Sequence, residues 1–224
     1  MIDLHGFGNQ LAIGAALTLG VTAGSWVVGL LLGLLGAAAR LYGPPPVRWL
    51  AGLYTTVVRG VPDLLVIFVV YFGGTVALTS LFGRYVEVGP MGAGIAALSF
   101  VFGAYTTEIL RGGMLAVPKG QFEAARALGL KPSHVFFLVT LPQAWRYALP
   151  PLGNQTVVLL KQTSLVSVIG LEELMRKAAL AAGTTREPFT FYLAAAVIYL
   201  IFTGTLTLAL QAAQARANRG IARA

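Results

Sequence analysis

From Leu11 to Ala39 the chain runs 29 residues without a charged side chain, enough as a helix to cross about 30 Å of hydrocarbon even when tilted. A stretch of that length has few other ways to be accommodated. Similar uncharged runs follow at Leu64–Phe82 and from Pro188 to Ala215. With 57% hydrophobic and 11% charged residues the whole chain is far more apolar than a soluble domain, in which about 25% of residues are charged. The fold class expected is all-α, a polytopic membrane protein.

Five spans are expected, at about 11–39, 64–82, 88–107, 147–171 and 188–215, in a single transmembrane domain covering residues 1–224. The first apolar run has no small-residue cleavage site behind it and is read as a retained span. Its glycines (Gly14, Gly20, Gly24, Gly29, Gly33, Gly36) mark a face on which another helix approaches closely. Between the first two spans, Gly60 and Pro62 interrupt a helical pattern, and helical order is expected to restart at Pro62. Glu108 and Arg111, three apart at the edge of span three, suit a structural ion pair. The fourth span is read as opening at Pro150 and Pro151.

The formal charge of +8 and pI near 10.1 do not point to nucleic acid here, because in membrane proteins excess Lys and Arg collects in cytoplasmic loops. Eleven basic residues fall in the segments 40–59 and 111–146 and in the tail with Arg216, Arg219 and Arg223. Four fall on the opposite side, at Arg84, Arg176, Lys177 and Arg186. The N-terminus is therefore expected outside and the C-terminus in the cytoplasm. There is no cysteine, and His5 and His134 are far apart, so no metal site is expected.

The longest polar segment, about 114–145, reads as a helix–turn–helix. Pro118 opens a short helical run, Gly129 closes it at the left-handed position after the C-cap, and Pro132 opens a second run. Glu123 and Arg126 stand three apart and can pair, while Ala124 and Ala125 offer a small-residue surface suited to docking. In span four Asn154, Lys161 and Ser164 fall on one helix face, with Gln155 and Gln162 in a neighbouring row. An ionisable side chain at membrane depth is costly unless it faces partners or water, so this stripe is expected to face the interior or a cavity.

Glu123-Ala124-Ala125-x3-Gly129-x9-Val139-x-Leu141-Pro142 resembles the EAA loop of the membrane subunits of bacterial ABC importers, with Val139 for the isoleucine. Arg59-Gly60-Val61-Pro62-Asp63, the segments 103–108 and 117–121, Leu160-Lys161-Gln162-Thr163-Ser164-Leu165 and Glu187-Pro188-Phe189 extend the resemblance to nearly the whole chain. They are similar to the polar-amino-acid importer permeases, in particular to the Q-type subunits of histidine/lysine-arginine-ornithine importers. Opine permeases share that branch. Many relatives outside it carry threonine at the position of Val61 and an apolar residue at that of Asp63, which favours basic substrates here.

The resemblance implies a type I ABC importer fold of five helices in the bacterial inner membrane. It also implies two cytoplasmic ATPase subunits, a periplasmic binding protein and a second permease, with a heterodimer favoured and a homodimer as the alternative. It implies docking of the ATPase on Glu123, Ala124, Ala125, Gly129 and Pro142. Lacking a Gly-x4-Gly-Lys-Ser/Thr loop, the chain is expected to bind no cofactor itself, ATP and magnesium being used by the ATPase. A self-sufficient secondary transporter or channel, with Lys161, Asp63 and Glu108 as a charge relay, is the alternative from another class. An EAA-spaced docking loop and the lack of an inverted repeat argue against it.

A helix restarting at Pro62 presents free N–H groups and a positive dipole end, which suits a carboxylate. The residues expected at the substrate are Gly60, Pro62, Asp63, Asn154, Lys161 and Ser164. Asp63 would attract a cationic group while the span-four residues hold the carboxylate. Its bland role is to neutralise the helix dipole or to pair with Arg59.

Overall fold

The computed structural model describes residues 4–218, and every described element is helical. Arg219 and Arg223, counted in the charge balance above, lie outside the described residues. The helices are α1 (Gly8–Tyr42), α2 (Pro45–Gly60), α3 (Asp63–Phe82), α4 (Pro90–Leu115), α5 (Lys119–Ala127), α6 (132–162), α7 (Leu174–Thr185) and α8 (Pro188–Ala217). Within α3 the segment Val69–Gly73 is π-helical, as is Val135–Thr140 within α6. A 3-10 stretch, Thr163–Ile169, extends the end of α6.

The glycine face of α1 is buried against α4, and it sets their direction. A Cβ on Gly29 would lie 2.9 Å from the Ser99 carbonyl, while Gly33 and Gly36 lie against Thr106 and Thr107. Ser25 Oγ donates to the Ile95 carbonyl at 3.5 Å. Residue numbers rise together on both helices, so α1 and α4 are parallel and in close contact, as small residues allow in lipid. Gly113 meets Ala144 and Ala148, whereas Gly94 meets Val166, so α6 runs antiparallel to α4 along its length. At the opening of the last helix, Phe7 and Phe191 stack edge-on at 5.6 Å and His5 sits 3.4 Å from Glu187. The starts of α1 and α8 therefore share one end of the bundle. Val21, Ile67, Leu98, Phe102 and Leu159 form the core where α1, α3, α4 and α6 meet.

Among the described residues four helices are long and apolar enough to cross a membrane: Gly8–Tyr42, Asp63–Phe82, Pro90–Leu115 and Pro188–Ala217. The expected fourth span is not among them, because α6 carries Arg146, Asn154, Gln155, Lys161 and Gln162. It nonetheless traverses the same depth, since it lies along α4. Its expected start also moves. Pro150 and Pro151 do not open the helix; they sit inside it, and α6 begins fifteen residues earlier than Tyr147, at Pro132. Span three likewise runs on from Thr107 to Leu115, so that Glu108 and Arg111 are helical.

Most of the polar segment 172–187 folds as the helix α7. Glu173 caps α7, accepting from the N–H groups of Met175 and Arg176 at 3.0 and 2.9 Å. Although fully buried, its carboxylate also accepts from Tyr199 Oη and Thr18 Oγ1, at 3.1 and 3.3 Å, and so ties α1, α7 and α8 together. Burial nevertheless outweighs these donors and pushes its pKa above the usual glutamate value. Gly14 admits the α7 backbone, since a Cβ there would lie 2.9 Å from Leu174 Cα.

Candidate functional site

The interruption after α2 has the geometry expected. Val61 is extended (φ −109°, ψ 141°), and Pro62 (φ −56°, ψ 134°) caps α3, its carbonyl accepting from Leu65 N–H at 2.9 Å. Asp63 is the first helical residue. Nothing crowds Gly60, where a Cβ would find open space.

The partner of Asp63 is not the expected one. Gln162 Nε2 donates to its carboxylate, and Gln162 Oε1 is buried without a partner. Lys161 and Asn154 lie one row round the helix and are exposed on the surface of the chain, not turned into its interior. Ser164 lies in the 3-10 stretch and its hydroxyl donates to the Lys161 carbonyl at 2.8 Å. Arg59 forms no ion pair with Asp63 among the described residues; its guanidinium lies 5.2 Å from the Tyr105 ring centroid. The structure thus brings together Pro62, Asp63 and Gln162. The signal for Gln162 was its row beside Lys161, about 100° round the helix, and it is this row that meets α3.

At the far end of α4 the Glu108–Arg111 pair forms at 2.8 Å, joined by Arg40 at 3.4 Å and the Thr55 hydroxyl at 3.1 Å. Two arginines and a hydroxyl leave this carboxylate no vacancy for a relay. An opening of about 870 Å³ between α1, α6 and α8 is apolar. Its threonines Thr22, Thr156 and Thr205 donate to carbonyls of their own helices, so it offers nothing to a charged ligand.

The loop after α4 folds as its residues dictate. Pro118 caps α5, and Gly129 takes φ +75°. Leu130 N–H then reaches the Ala125 carbonyl at 3.2 Å and Gly129 N–H the Arg126 carbonyl at 2.9 Å, the paired closure of a Schellman motif. Glu123 and Ala124 are exposed, but Ala125 is buried, which corrects the expected two-alanine surface. Helical spacing turns Ala125 inward when Ala124 faces out. No Glu123–Arg126 ion pair forms among the described residues. Leu128, not singled out from sequence, is 82% exposed at the tip. Pro142 follows the π-helical segment, and Gln143 next to it bonds Gln121 of α5 at 3.4 Å.

The family described as binding-protein-dependent transport system inner membrane component matches residues 29–220. The nopaline transport system permease protein NocQ of Agrobacterium fabrum is 46% identical, covering 96% of this chain and 94% of its own. The histidine/lysine/arginine/ornithine transport system permease protein HisQ of Escherichia coli is 40% identical over 99% of each chain. The crystal structure of an amino acid ABC transporter with histidines superposes with a TM-score of 0.83 at 34% identity, covering 93% of this chain and 94% of that one. An inward-facing structure of the MetNI methionine ABC transporter shares the fold, with a TM-score of 0.70 at 18% identity over 94% and 95% of the two chains.

Proposed function

This chain belongs to the family of binding-protein-dependent transport system inner membrane components, as a multi-pass permease subunit of a polar amino acid ABC importer with the type I fold, and on that premise we propose that its cargo is basic. The cargo class is arginine, lysine, histidine or ornithine, moved into the cytoplasm. The observation that carries this reading is Asp63, a carboxylate at the restart of a broken membrane helix, held by Gln162 beside the exposed face of α6. A carboxylate there favours a cationic group, and the Pro62 restart with Lys161 and Asn154 favours the cargo's carboxylate.

A second reading, an opine permease, is supported by the 46% identity to a nopaline permease. The same acid and the same basic face would serve either cargo. Residues 114–145 are the coupling segment, with Glu123, Ala124, Gly129 and Pro142 engaging two ATPase subunits that use ATP and magnesium. A second, different permease completes the membrane pair, and a periplasmic binding protein delivers the cargo. The N-terminus lies outside and the C-terminus in the cytoplasm, by the basic excess around α5.

ATP-driven uptake by the assembled transporter, with arginine, lysine, histidine, nopaline and glutamine in competition, tests the cargo. Competition by glutamine as strong as by arginine would overturn the basic reading, and competition by nopaline alone would favour the opine reading.

A further inference from the structure

On the coupling-segment side of the Asp63 pair, a cavity of about 430 Å³ opens between α2, α4 and α6, walled by Arg59, Tyr105, Glu108, Gly112, Tyr147 and Pro151. Two of its features have no part in the Asp63 site. The first is a charge. Glu108 is engaged by Arg40, Arg111 and Thr55, whereas Arg59 has no carboxylate partner among the described residues. Its guanidinium sits on the Tyr105 ring at 5.2 Å, a stacking that leaves the edge N–H donors free for a planar acceptor.

The second is a carbonyl. In an α-helix the Tyr147 carbonyl would receive the N–H of residue 151, and in a 3-10 turn that of residue 150. Both are proline inside α6, so neither donor exists. Helical carbonyls point along the axis toward the residue four ahead, here Pro151, and both Tyr147 and Pro151 wall the cavity. The space thus has on one wall a guanidinium with no carboxylate partner among the described residues and on another the residue whose carbonyl lacks both of these helical donors.

These residues also continue the polar face of α6. Tyr147, Pro151, Asn154 and Lys161 follow one another at spacings of four, three and seven, and all four are exposed. The Asp63–Gln162 pair and the cavity therefore lie at two depths beside the same helix, on the order of 16–22 Å apart along its axis at 1.5 Å per residue.

We propose that this cavity is a second amino-acid subsite, which holds the zwitterionic backbone of the cargo with its carboxylate on Arg59 and its ammonium on the Tyr147 carbonyl. It rests on the reading that the cargo is an α-amino acid or an opine. The guanidinium fork matches a carboxylate through two charge-assisted hydrogen bonds, and the ammonium supplies the donor that Tyr147 lacks. The subsite recognises what all amino acids share, whereas the Asp63 pair recognises the cationic side chain.

The test uses the purified transporter, complete with its membrane and ATPase partners but without binding protein, and equilibrium dialysis with labelled arginine and, separately, labelled nopaline. Arg59→Gln should lose one bound ligand per copy of this chain, and Asp63→Asn a different one. Agmatine, which is arginine without its carboxylate, should compete at the site that Asp63→Asn removes and at least tenfold more weakly at the site that Arg59→Gln removes. Pro151→Ala restores a donor to the Tyr147 carbonyl and should weaken the Arg59-dependent site severalfold, with Arg59→Lys intermediate. Unchanged stoichiometry and unchanged agmatine competition in Arg59→Gln would overturn the subsite while leaving Asp63 in place. Should Arg59→Gln fail to assemble, wild-type binding by both Arg59→Lys and Pro151→Ala overturns it. Binding of neither arginine nor nopaline by the wild-type complex overturns the subsite and the cargo reading together.

Discussion

Gln162 and Asp63, 99 positions apart in sequence, meet in a side-chain hydrogen bond that joins the end of α6 to the restart of the helix after Pro62. The amide nitrogen is spent on the carboxylate, and the amide oxygen is left buried without a donor. An acid held in this way is oriented rather than neutralised.

Asp63→Asn should therefore cut uptake of arginine, lysine or histidine at least tenfold at unchanged protein level and relax the preference for a cation. Gln162→Leu should produce a smaller loss in the same direction, because it frees the carboxylate without removing it. Uptake per molecule and selectivity equal to wild type in Asp63→Asn would reduce this residue to a helix-start acid worth about 0.3–1 kcal/mol.

Gly129→Ala should cost about 1–2 kcal/mol through the left-handed backbone alone, since its Cβ would meet nothing within 4 Å. Gly129→Asp and Glu123→Lys should leave the chain inserted but separate ATP hydrolysis from transport. Leu128→Ser, at the exposed tip, should weaken retention of the ATPase on affinity resin. Normal uptake by all three at normal expression excludes this loop as the coupling segment.

Cysteines placed at Gln121 and Thr184, both exposed, should react with a membrane-impermeant thiol reagent from opposite sides, because α6 separates them. The native chain has no cysteine to interfere. Labelling of both in intact cells contradicts the crossing of α6.

Glu173 gives a pH prediction. Its folded pKa lies above the ordinary value of 4.5, so its proton is bound more tightly in the folded state. The stability it contributes is full below that ordinary value and is lost as pH rises through the folded value. Glu173→Gln keeps an acceptor for the α7 cap and should flatten the loss of melting temperature between pH 5 and pH 8. Glu173→Ala removes the α7 cap and the acceptor of the Tyr199 hydroxyl, at a cost of about 2–4 kcal/mol. Parallel pH profiles for wild type and Glu173→Gln would contradict this account.

Much of this was legible because some residues leave the backbone little choice. Gly129 and Pro118 bound α5 to within a residue or two, and the break at Pro62 stands where a missing N–H places it. The spacing of Gly29, Gly33 and Gly36 located the α4 contact face, although not its parallel direction, which depends on distant partners. The errors share a cause. Pro150 and Pro151 read as a helix start because a soluble helix would break there, but neighbouring helices hold α6 through them. Gln162 stands one row from Lys161, and which of two neighbouring rows meets α3 depends on the packing of segments 99 positions apart, which no local pattern carries. Glu173 carries no local sign of its role, since nothing near it in sequence reveals that Thr18 and Tyr199 converge on it.

Gln121 of α5 and Asn218, just past the end of α8, wall the same cavity. The last helix thus finishes beside the segment proposed to seat the ATPase, whereas α1 starts at the opposite end of the bundle. A bulky reporter or affinity domain carried on α8 would obstruct that seat, and assays of assembly made with it would understate the strength of the complex. The same domain placed ahead of α1 would leave the seat clear.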